Sequence, residues 1–378
     1  MPRFLIIILF IALFVITIAG AHYFIYFSLN KFFNITSIDL KRVIIIIFFL
    51  WPFIFILTSV LAGYFNNFFI NSLYLLAGWW LGLAVTLIFF FALVWAVVWG
   101  GRLIGWQINL SLWGGLAIII AIAYLIFGIY NAVNPRIREI EVIIKNLPDN
   151  WRDKKVVQIS DLHLGHILGA DFLKKVIDNV NDIQPQAVFI TGDFFDSSGD
   201  GYEYIITELN RLEVEKGIYF ITGNHETYYG LDKIKDILDK TRVRILNNEM
   251  EAADGLQIIG LSYPERLDKK DLEQAISEID NFDRAGPSIL LYHSPVQIEA
   301  VKRAGINLML SGHTHKGQIF PLGFITKLIY RGYDYGLKQS GDFSIYTSSG
   351  TGVWGPLMRT SGYSEIVVIT LKQLAINN

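Results

Sequence analysis

Two histidines separated by one residue, in the stretch Ser311-Gly312-His313-Thr314-His315, are the first sign of chemistry in this chain. If a strand runs from about Ile306 to Ser311, alternation along the extended backbone points both imidazoles to the same side. Two nitrogens on one side could bind one metal ion or a close pair of ions. The pattern is weak by itself, because two structural histidines can fall at this spacing by chance.

Four further clusters of histidine, aspartate or asparagine also follow predicted strands. They are Asp161-Leu162-His163, Gly192-Asp193-Phe194-Phe195-Asp196, Gly223-Asn224-His225-Glu226 and the single His293. Each has a structural explanation, such as a helix cap, a turn residue or a hydrogen-bonded core histidine. In open α/β sheets, however, ligands collect beyond the carboxyl ends of the strands. Five clusters in this position together favour a single functional site.

The residue types in these clusters suit divalent metal ions. Carboxylate, imidazole and amide oxygen favour Mn, Fe, Zn, Co or Ni, and are enough to hold two ions about 3.5 to 4 Å apart when one carboxylate bridges them. Such a pair can lower the pKa of a shared water and clamp a phosphoryl group. The chain has no cysteine, which excludes disulfides, thiolate ligands and a cysteine nucleophile. Residues 135–378 also contain no P-loop and no G-x-S-x-G pattern.

The composition divides the chain into two parts. Residues 1–134 contain only six charged side chains, whereas residues 135–378 have the mildly acidic composition of a soluble domain. Four apolar runs, roughly residues 4–27, 43–64, 69–99 and 108–130, each reach the roughly 20 residues that a membrane-spanning helix needs. We therefore expect a multi-pass membrane region of about four helices at 1–134. His22, near the end of its run, is interpreted as an interfacial histidine.

The flanking charges do not determine the orientation of these helices. Four basic residues lie near the helix ends on each side, so the positive-inside rule does not choose between the two orientations. With four helices both termini share one side of the membrane. We expect an integral protein of the cell membrane. The side that its second domain faces is undetermined, with the cytoplasmic side favoured if the helix count is four.

Pro135 ends the last apolar run, and residues 135–378 then alternate short β-rich runs with helical patterns. This alternation predicts an α/β domain with largely parallel central pairing. There is no basic block or basic helix face, so no nucleic-acid partner is expected.

The order D-x-H, G-D-x-x-D, G-N-H-E, single H and G-H-x-H resembles the calcineurin-like metallophosphoesterase family. The resemblance spans about residues 139–371 and is closest to bacterial membrane-associated phosphoesterases, on the evidence of Asp161-Leu162-His163-Leu164-Gly165 and the run from Gly312 to Gln318. It implies a four-layer α/β/β/α sandwich. Lys316 and Ser364 depart from the family pattern, where Gly and Pro are common; neither departure removes a ligand.

The resemblance also implies roles for individual residues. Asp193 would bridge two metal ions, and the nucleophile would be a metal-bound hydroxide. The first ion would be held by Asp161, His163 and His315, and the second by Asn224, His293 and His313. His225 would donate a proton to the leaving oxygen. Asp196 and Glu226 would orient imidazoles from behind. His166 and Arg359 are candidate contacts for the substrate phosphate. A rim position is favoured for His166, and a structural ion pair is an equal alternative for Arg359.

The sequence thus predicts a membrane-anchored phosphoric ester hydrolase that uses two divalent metal ions. A phosphodiester or pyrophosphate is favoured as substrate, and the membrane region together with the apolar run 319–335 suggests a lipid or a lipid-linked nucleotide. Two alternatives stay open. One is a metal-binding membrane sensor or scaffold without turnover, and the other is a phosphatase acting on soluble phosphomonoesters.

Overall fold

A computed structural model describes residues 3–62, 65, 67–165, 167–196, 202–264 and 270–373, without the side chains of residues 3–11 and 229. By their contacts the residues form two compact units. The helical unit consists of Met1–Tyr130 and Gly355–Thr360, and the α/β unit consists of Asn131–Trp354 and Ser361–Asn378. The domain boundary placed between residues 134 and 135 stays a prediction, and the assignment of residues 355–360 to the helical unit was not expected.

Four long helices make up most of the helical unit: α1 (Arg3–Phe33), α2 (Ile38–Ala62), α3 (Phe68–Leu103) and α4 (Leu110–Val133). All four have the length and apolar composition needed to cross a bilayer, which indicates a membrane protein. Two pairs of polar side chains between the helices are hydrogen-bonded, which suits hydrocarbon surroundings. Trp80 Nε1 donates to His22 Nε2 at 3.2 Å, and Trp95 Nε1 donates to Ser28 Oγ at 3.0 Å. His22 is therefore buried and hydrogen-bonded, and its position at the membrane interface stays a prediction.

The segment Gly355–Thr360 packs against three glycines of the helical unit. A β-carbon built on Gly82 would lie 2.6 Å from Met358 Sδ, and one built on Gly128 would lie 2.6 Å from Met358 Cγ. On Gly78 it would lie 3.2 Å from Pro356 Cα. The backbone N–H of Arg359 also donates to the carbonyl of Gly128 at 2.9 Å. The small residues of α3 and α4 thus form a recess that the segment fills.

The α/β unit contains two mixed six-stranded sheets. Their orders are β1-β12-β2-β3-β4-β5 and β10-β11-β9-β8-β7-β6. The strands are β1 (Arg136–Ile144), β2 (Lys155–Ile159), β3 (Ala187–Ile190), β4 (Ile218–Phe220), β5 (Val243–Ile245), β6 (Glu249–Ala253), β7 (Leu256–Gly260), β8 (Ser288–Leu291), β9 (Leu308–Ser311), β10 (Gly336–Ser340), β11 (Phe343–Thr347) and β12 (Glu365–Gln373). The central pairs β2–β3–β4–β5 and β7–β8–β9–β11 are parallel.

Alternate side chains of the two sheets form one shared core. Phe189 of β3, Ile258 of β7 and Leu310 of β9 are fully buried in the same cluster. The intervening residues face outward, and on the second sheet Leu290 and Met309 pack with side chains of α9 and α10. This period-two division is why both faces of each central strand are apolar.

Among the described residues, seven α-helices connect the strands. They are α5 (Ala170–Ile183), α6 (Glu203–Leu209), α7 (Asn224–Tyr229), α8 (Leu231–Leu238), α9 (Leu272–Ser277), α10 (Ile298–Arg303) and α11 (Gly323–Ile329). Two sheets with helices confirm the predicted α/β sandwich. Four elements were not predicted: the edge strands β6 and β10, and the short helices α7 and α11.

Candidate metal centre

The predicted site residues lie directly after strands that end at the same edge of the two sheets. Asp161 and His163 follow β2, Asp193 follows β3, and Asn224 begins α7 just after β4. From the second sheet, His293 follows β8, and His313 and His315 follow β9. Buried Gln158 connects the sheets at this edge, because its Nε2 donates to Thr191 Oγ1 and to the carbonyl of Ser311, both at 2.9 Å.

Three groups of side chains have ligand atoms close enough to hold a metal ion. They are Asp161 with His163 and His315, Asp193 with His293 and His313, and His163 with Asp193 and His225. His163 Nε2 lies 3.1 Å from His315 Nε2, and His293 Nε2 lies 3.2 Å from His313 Nδ1. Asp193 belongs to two of the groups, which places its carboxylate between the two pairs of imidazoles.

The backbone at these residues adopts a conformation that L-residues rarely use. Asp161, His163, Asp193, His313 and His315 all have φ between 48° and 72°. A left-handed backbone at a residue other than glycine stores strain, and such residues cluster at functional sites. The surrounding fold therefore holds these side chains in place at a conformational cost.

The H-x-H pair does not have the geometry that strand alternation predicts. β9 ends at Ser311, two residues before His313, and both histidines have positive φ. The two imidazoles consequently separate. His313 joins the group of Asp193 and His293, whereas His315 joins Asp161 and His163. Strand alternation therefore does not set the directions of the two rings, because the chain is no longer extended at His313 and His315.

Glu226 contacts backbone amides instead of the imidazole that was expected. Its Oε2 accepts from the N–H groups of Gly223 at 2.6 Å and Asp193 at 2.9 Å. Its Oε1 accepts from Phe194 at 2.8 Å and Phe195 at 3.1 Å. The carboxylate is fully buried and joins the loop after β3 to the loop after β4. Glu226 therefore fixes the relative positions of Asp193 and Asn224 through their backbones.

The pKa values of the two acidic ligand candidates, Asp161 and Asp193, shift in opposite directions. Burial raises the pKa of Asp161. Burial also raises the pKa of Asp193, but His293, with Nε2 3.1 Å from Asp193 Oδ2, lowers it well below its ordinary value. Burial lowers the pKa of His293 while Asp193 raises it by more, to about 10. Asp193 thus stabilises positive charge strongly, as a carboxylate between two cations must.

His313 has the opposite tendency. Burial, together with the charge of His293, lowers its pKa to about 3. The ring is therefore neutral at physiological pH, which is the form of imidazole that can bind a metal ion.

His225 and Asp196 form a pair beside the ligand candidates. Asp196 Oδ1 lies 3.3 Å from His225 Nδ1 and 3.4 Å from His163 Nδ1. Burial lowers the pKa of His225, but the bond to Asp196 and the charge of Asp193 raise it by more. Asp196 thus contacts the imidazoles it was expected to contact, and it leaves Nε2 of His225 as the ring nitrogen available to another group.

Asn224 supplies a direct test of whether these residues fit a metal ion. Its Oδ1 is buried, and among the residues that the structure describes no donor hydrogen-bonds to it. An unpaired buried amide oxygen costs about 1 to 3 kcal/mol, so it calls for a partner outside the chain. A divalent cation meets this need, and the oxygen and imidazole donors around it are of the matching type.

Two residues were predicted to contact the substrate phosphate. His166 lies outside the described residues. Arg359 belongs to the segment that packs with the helices, and its side chain is fully buried. A phosphate contact by either residue stays a prediction.

Four aromatic residues around the cluster were missed from the sequence. Tyr228 and Trp354 lie with their rings 6.0 and 6.1 Å from His225. Tyr263 lies 5.9 Å from His293, and Tyr330 lies 6.2 Å from His313. Tyr263, which follows β7, was detectable because it too occupies a strand end. We refer to these four residues as the aromatic rim.

Comparison with known proteins gives concordant results. Residues 154–317 match the family model for calcineurin-like phosphoesterases. An uncharacterized metallophosphoesterase of Campylobacter jejuni is 35% identical over 75% of this chain and 78% of its own length. A transmembrane protein with metallophosphoesterase domain from Danio rerio is 31% identical over 68% of this chain and 62% of its own. The solved structure of a dimetal phosphatase from Danio rerio aligns with a TM-score of 0.36 and 12% identity, over 58% of this chain and 93% of that one.

Proposed function

Because the chain belongs to the calcineurin-like metallophosphoesterase family and is thus a phosphoester hydrolase, we propose that it is a membrane-anchored enzyme using two divalent metal ions. The observation that carries this proposal is the position of Asp193 between two groups of potential ligands. A carboxylate shared by two sites at this spacing is the arrangement that a dinuclear centre requires.

We assign the first ion to Asp161, His163 and His315, and the second to Asn224, His293 and His313, with Asp193 between them. The unpaired Oδ1 of Asn224 supports the second site. The donors are oxygen and nitrogen alone, so Mn, Fe, Zn, Co or Ni suits the centre. When bound, such ions supply Lewis acidity and lower the pKa of a water molecule.

The protein contributes a proton donor beside this centre. Asp196 holds Nδ1 of His225, so the proton on Nε2 is directed away from Asp196. The raised pKa keeps a larger fraction of His225 protonated near neutral pH than an unperturbed histidine would be. His225 can then protonate the leaving oxygen of a phosphoester. A sensor or scaffold without turnover would not need this pair.

The substrate we propose is a phosphodiester or pyrophosphate of a lipid or lipid-linked nucleotide. Four membrane-crossing helices keep the chain at a bilayer, and the aromatic rim offers flat apolar surfaces next to the ligand cluster. Comparing kcat/KM on bilayer phospholipids and on soluble nucleotide esters and phosphomonoesters tests this choice. A preference for the soluble esters would favour the alternative phosphatase.

We place the protein in the cell membrane with the α/β unit on the cytoplasmic side. An even number of helices puts the two chain ends on one side, and the bacterial relatives favour a cell membrane. A topology reporter fused after Asn378 tests this placement. Activity of a reporter that functions only outside the cytoplasm would contradict it.

Asp193→Asn is the most direct test of the dinuclear centre. The substitution keeps the size of the side chain and removes the charge that two cations share, so metal content and hydrolysis of bis(4-nitrophenyl) phosphate should both be lost. Asp236→Asn, on the exposed side of α8, makes the same chemical change away from the cluster and serves as control. Full activity of Asp193→Asn would contradict the proposal. Normal metal content without turnover of any phosphate ester in the unmodified chain would support the sensor.

A further inference from the structure

Helix α11 presents an apolar face that the α/β unit leaves uncovered. None of its seven residues is buried. Four large apolar side chains are exposed: Leu328 (80%), Phe324 (69%), Ile329 (65%) and Ile325 (55%). Their spacing puts all four on one side of the helix. A contiguous apolar surface of this kind marks a binding surface for a protein or a membrane. We call these four residues the α11 face.

The charges beside the α11 face indicate which partner it fits. Lys327 and Arg331 are both exposed, and residues 319–333 contain no acidic side chain. Apolar residues next to exposed basic residues are typical of helices that lie in the headgroup region of a membrane. The basic side chains would meet anionic headgroups while the apolar face enters the acyl boundary. The same chain carries four helices that are long and apolar enough to cross a membrane, so it is anchored at a bilayer.

The helix is also joined to the ligand cluster. At its start, a β-carbon built on Gly317 would lie 2.4 Å from the backbone nitrogen of Gly323, so the turn that contains His315 touches the first residue of α11. Just after its end, the ring of Tyr330 lies 6.2 Å from that of His313. Whatever α11 binds is therefore held close to the residues that would bind metal.

We propose that the α11 face inserts into the interfacial region of the lipid bilayer and holds the mouth of the ligand cluster against the membrane. This inference adds to the proposed function a surface through which a lipid phosphoester would enter. Binding of the membrane itself does not depend on metal or on turnover.

The absence of cysteine allows a local test in the full-length chain reconstituted in anionic phospholipid nanodiscs. Leu328→Cys carries an environment-sensitive fluorophore, and quencher groups are attached to the lipid near the headgroup. Asp236→Cys and Glu299→Cys, exposed positions on α8 and α10, carry the same fluorophore as controls. We expect blue-shifted emission and strong lipid quenching only at position 328. Equal quenching at the three positions would overturn the proposal, and so would a blue shift at 328 that depends on protein concentration without lipid quenching, since a second copy would then cover the face.

A second variant separates this inference from the proposed function. Leu328→Glu puts a charge where the bilayer is expected, and removing one leucine from an apolar phase weakens transfer by about tenfold or more. The ratio of kcat/KM for a bilayer phospholipid to that for bis(4-nitrophenyl) phosphate should fall by about this factor. An unchanged ratio would overturn the docking role. No turnover of either substrate by the unmodified chain would refute the proposed function, while the quenching experiment would still decide whether α11 enters the membrane.

Discussion

Replacing Glu226 by glutamine tests how strongly this buried carboxylate holds the loops of the metal centre together. Four backbone N–H groups donate to its two oxygens. An amide keeps one oxygen, which can still accept two of the four bonds, and turns an NH2 group towards the other two donors. Two buried N–H groups are then left unsatisfied, at about 1 to 3 kcal/mol each. The substitution should therefore cost about 2 to 6 kcal/mol of folding free energy.

This cost converts into a measurable change in melting temperature. For a unit of about 240 residues, 1 kcal/mol corresponds to roughly 2 °C. The α/β unit of Glu226→Gln should therefore melt about 4 to 12 °C below that of the unmodified chain. Differential scanning fluorimetry of the full-length protein in detergent measures this shift. A chelator should be present throughout, so that weaker metal binding does not contribute.

The matched control is Glu299→Gln, which makes the same change on an exposed side chain of α10. Substitutions at such positions usually change stability by less than about 0.5 kcal/mol, so the melting temperature should stay within about 1 °C. Without chelator, Glu226→Gln should also bind metal about 10- to 100-fold more weakly, because Asp193 and Asn224 lose their common support. A melting temperature equal to that of the control, with unchanged metal affinity, would refute the role given to Glu226.

Three further predictions concern crowding, charge and metal removal. Gly312→Ala should lose metal and activity, because the new β-carbon would lie 2.1 Å from Asp161 Oδ2. Gly169→Ala, where no described atom lies within 4 Å, should lose neither. Retained metal content in both variants would contradict the crowding at Gly312. Burial lowers the pKa of Lys270 to about 8, so the folded state binds fewer protons than the unfolded state up to about pH 10.5. The melting temperature of the unmodified chain should therefore rise from pH 8 to 10 relative to that of Lys270→Met. A constant difference between the two melting temperatures would refute this. Chelation should lower the melting temperature of the unmodified chain by roughly 10 °C if two ions were each bound at about 100 times their Kd, and by less in Asp193→Asn. Equal shifts would argue against Asp193 as a ligand.

The central strands and the positions of the chemical groups could be predicted because both depend on local patterns. β3, β8 and β9 are short, apolar apart from one serine each in β8 and β9, and buried on both faces, and turn residues follow each of them. A polar cluster after such a run lies at a sheet edge whatever the rest of the chain does. This is why the order of five clusters was informative before any distance was known.

The two edge strands of the second sheet, β6 and β10, escaped prediction because burial does not constrain them. β6 (Glu249–Ala253) and β10 (Gly336–Ser340) each pair on one side only, and no residue in either strand is buried. Their polar sequences avoid the exposed apolar edge that invites association. Alternation of apolar residues is therefore weak or absent, and the register comes from the neighbouring strand.

The details of the centre depend on contacts that no periodicity encodes. The backbone N–H groups that donate to Glu226 come from two different loops, so the role of this residue could not be read from the motif in which it stands. The assignment of His313 and His315 to different groups was implied by the resemblance, whereas strand alternation could not give it, because both residues have positive φ values. The apolar run 319–335 suggested a lipid, but the helix α11 and its exposed face were not predicted, since an apolar run of that length usually predicts a packed segment.

The segment that fills the glycine recess makes the order of synthesis matter. Residues 355–360 leave the ribosome more than 200 residues after α4, so Gly82 and Gly128 stay uncovered by this segment while most of the α/β unit is made. The chain also passes between the units three times, after Tyr130, Trp354 and Thr360. A cut after residue 134 would therefore release a fragment whose Pro356 and Met358 have lost their helical partners. Separating the enzyme from its anchor requires removal or polar replacement of this segment as well.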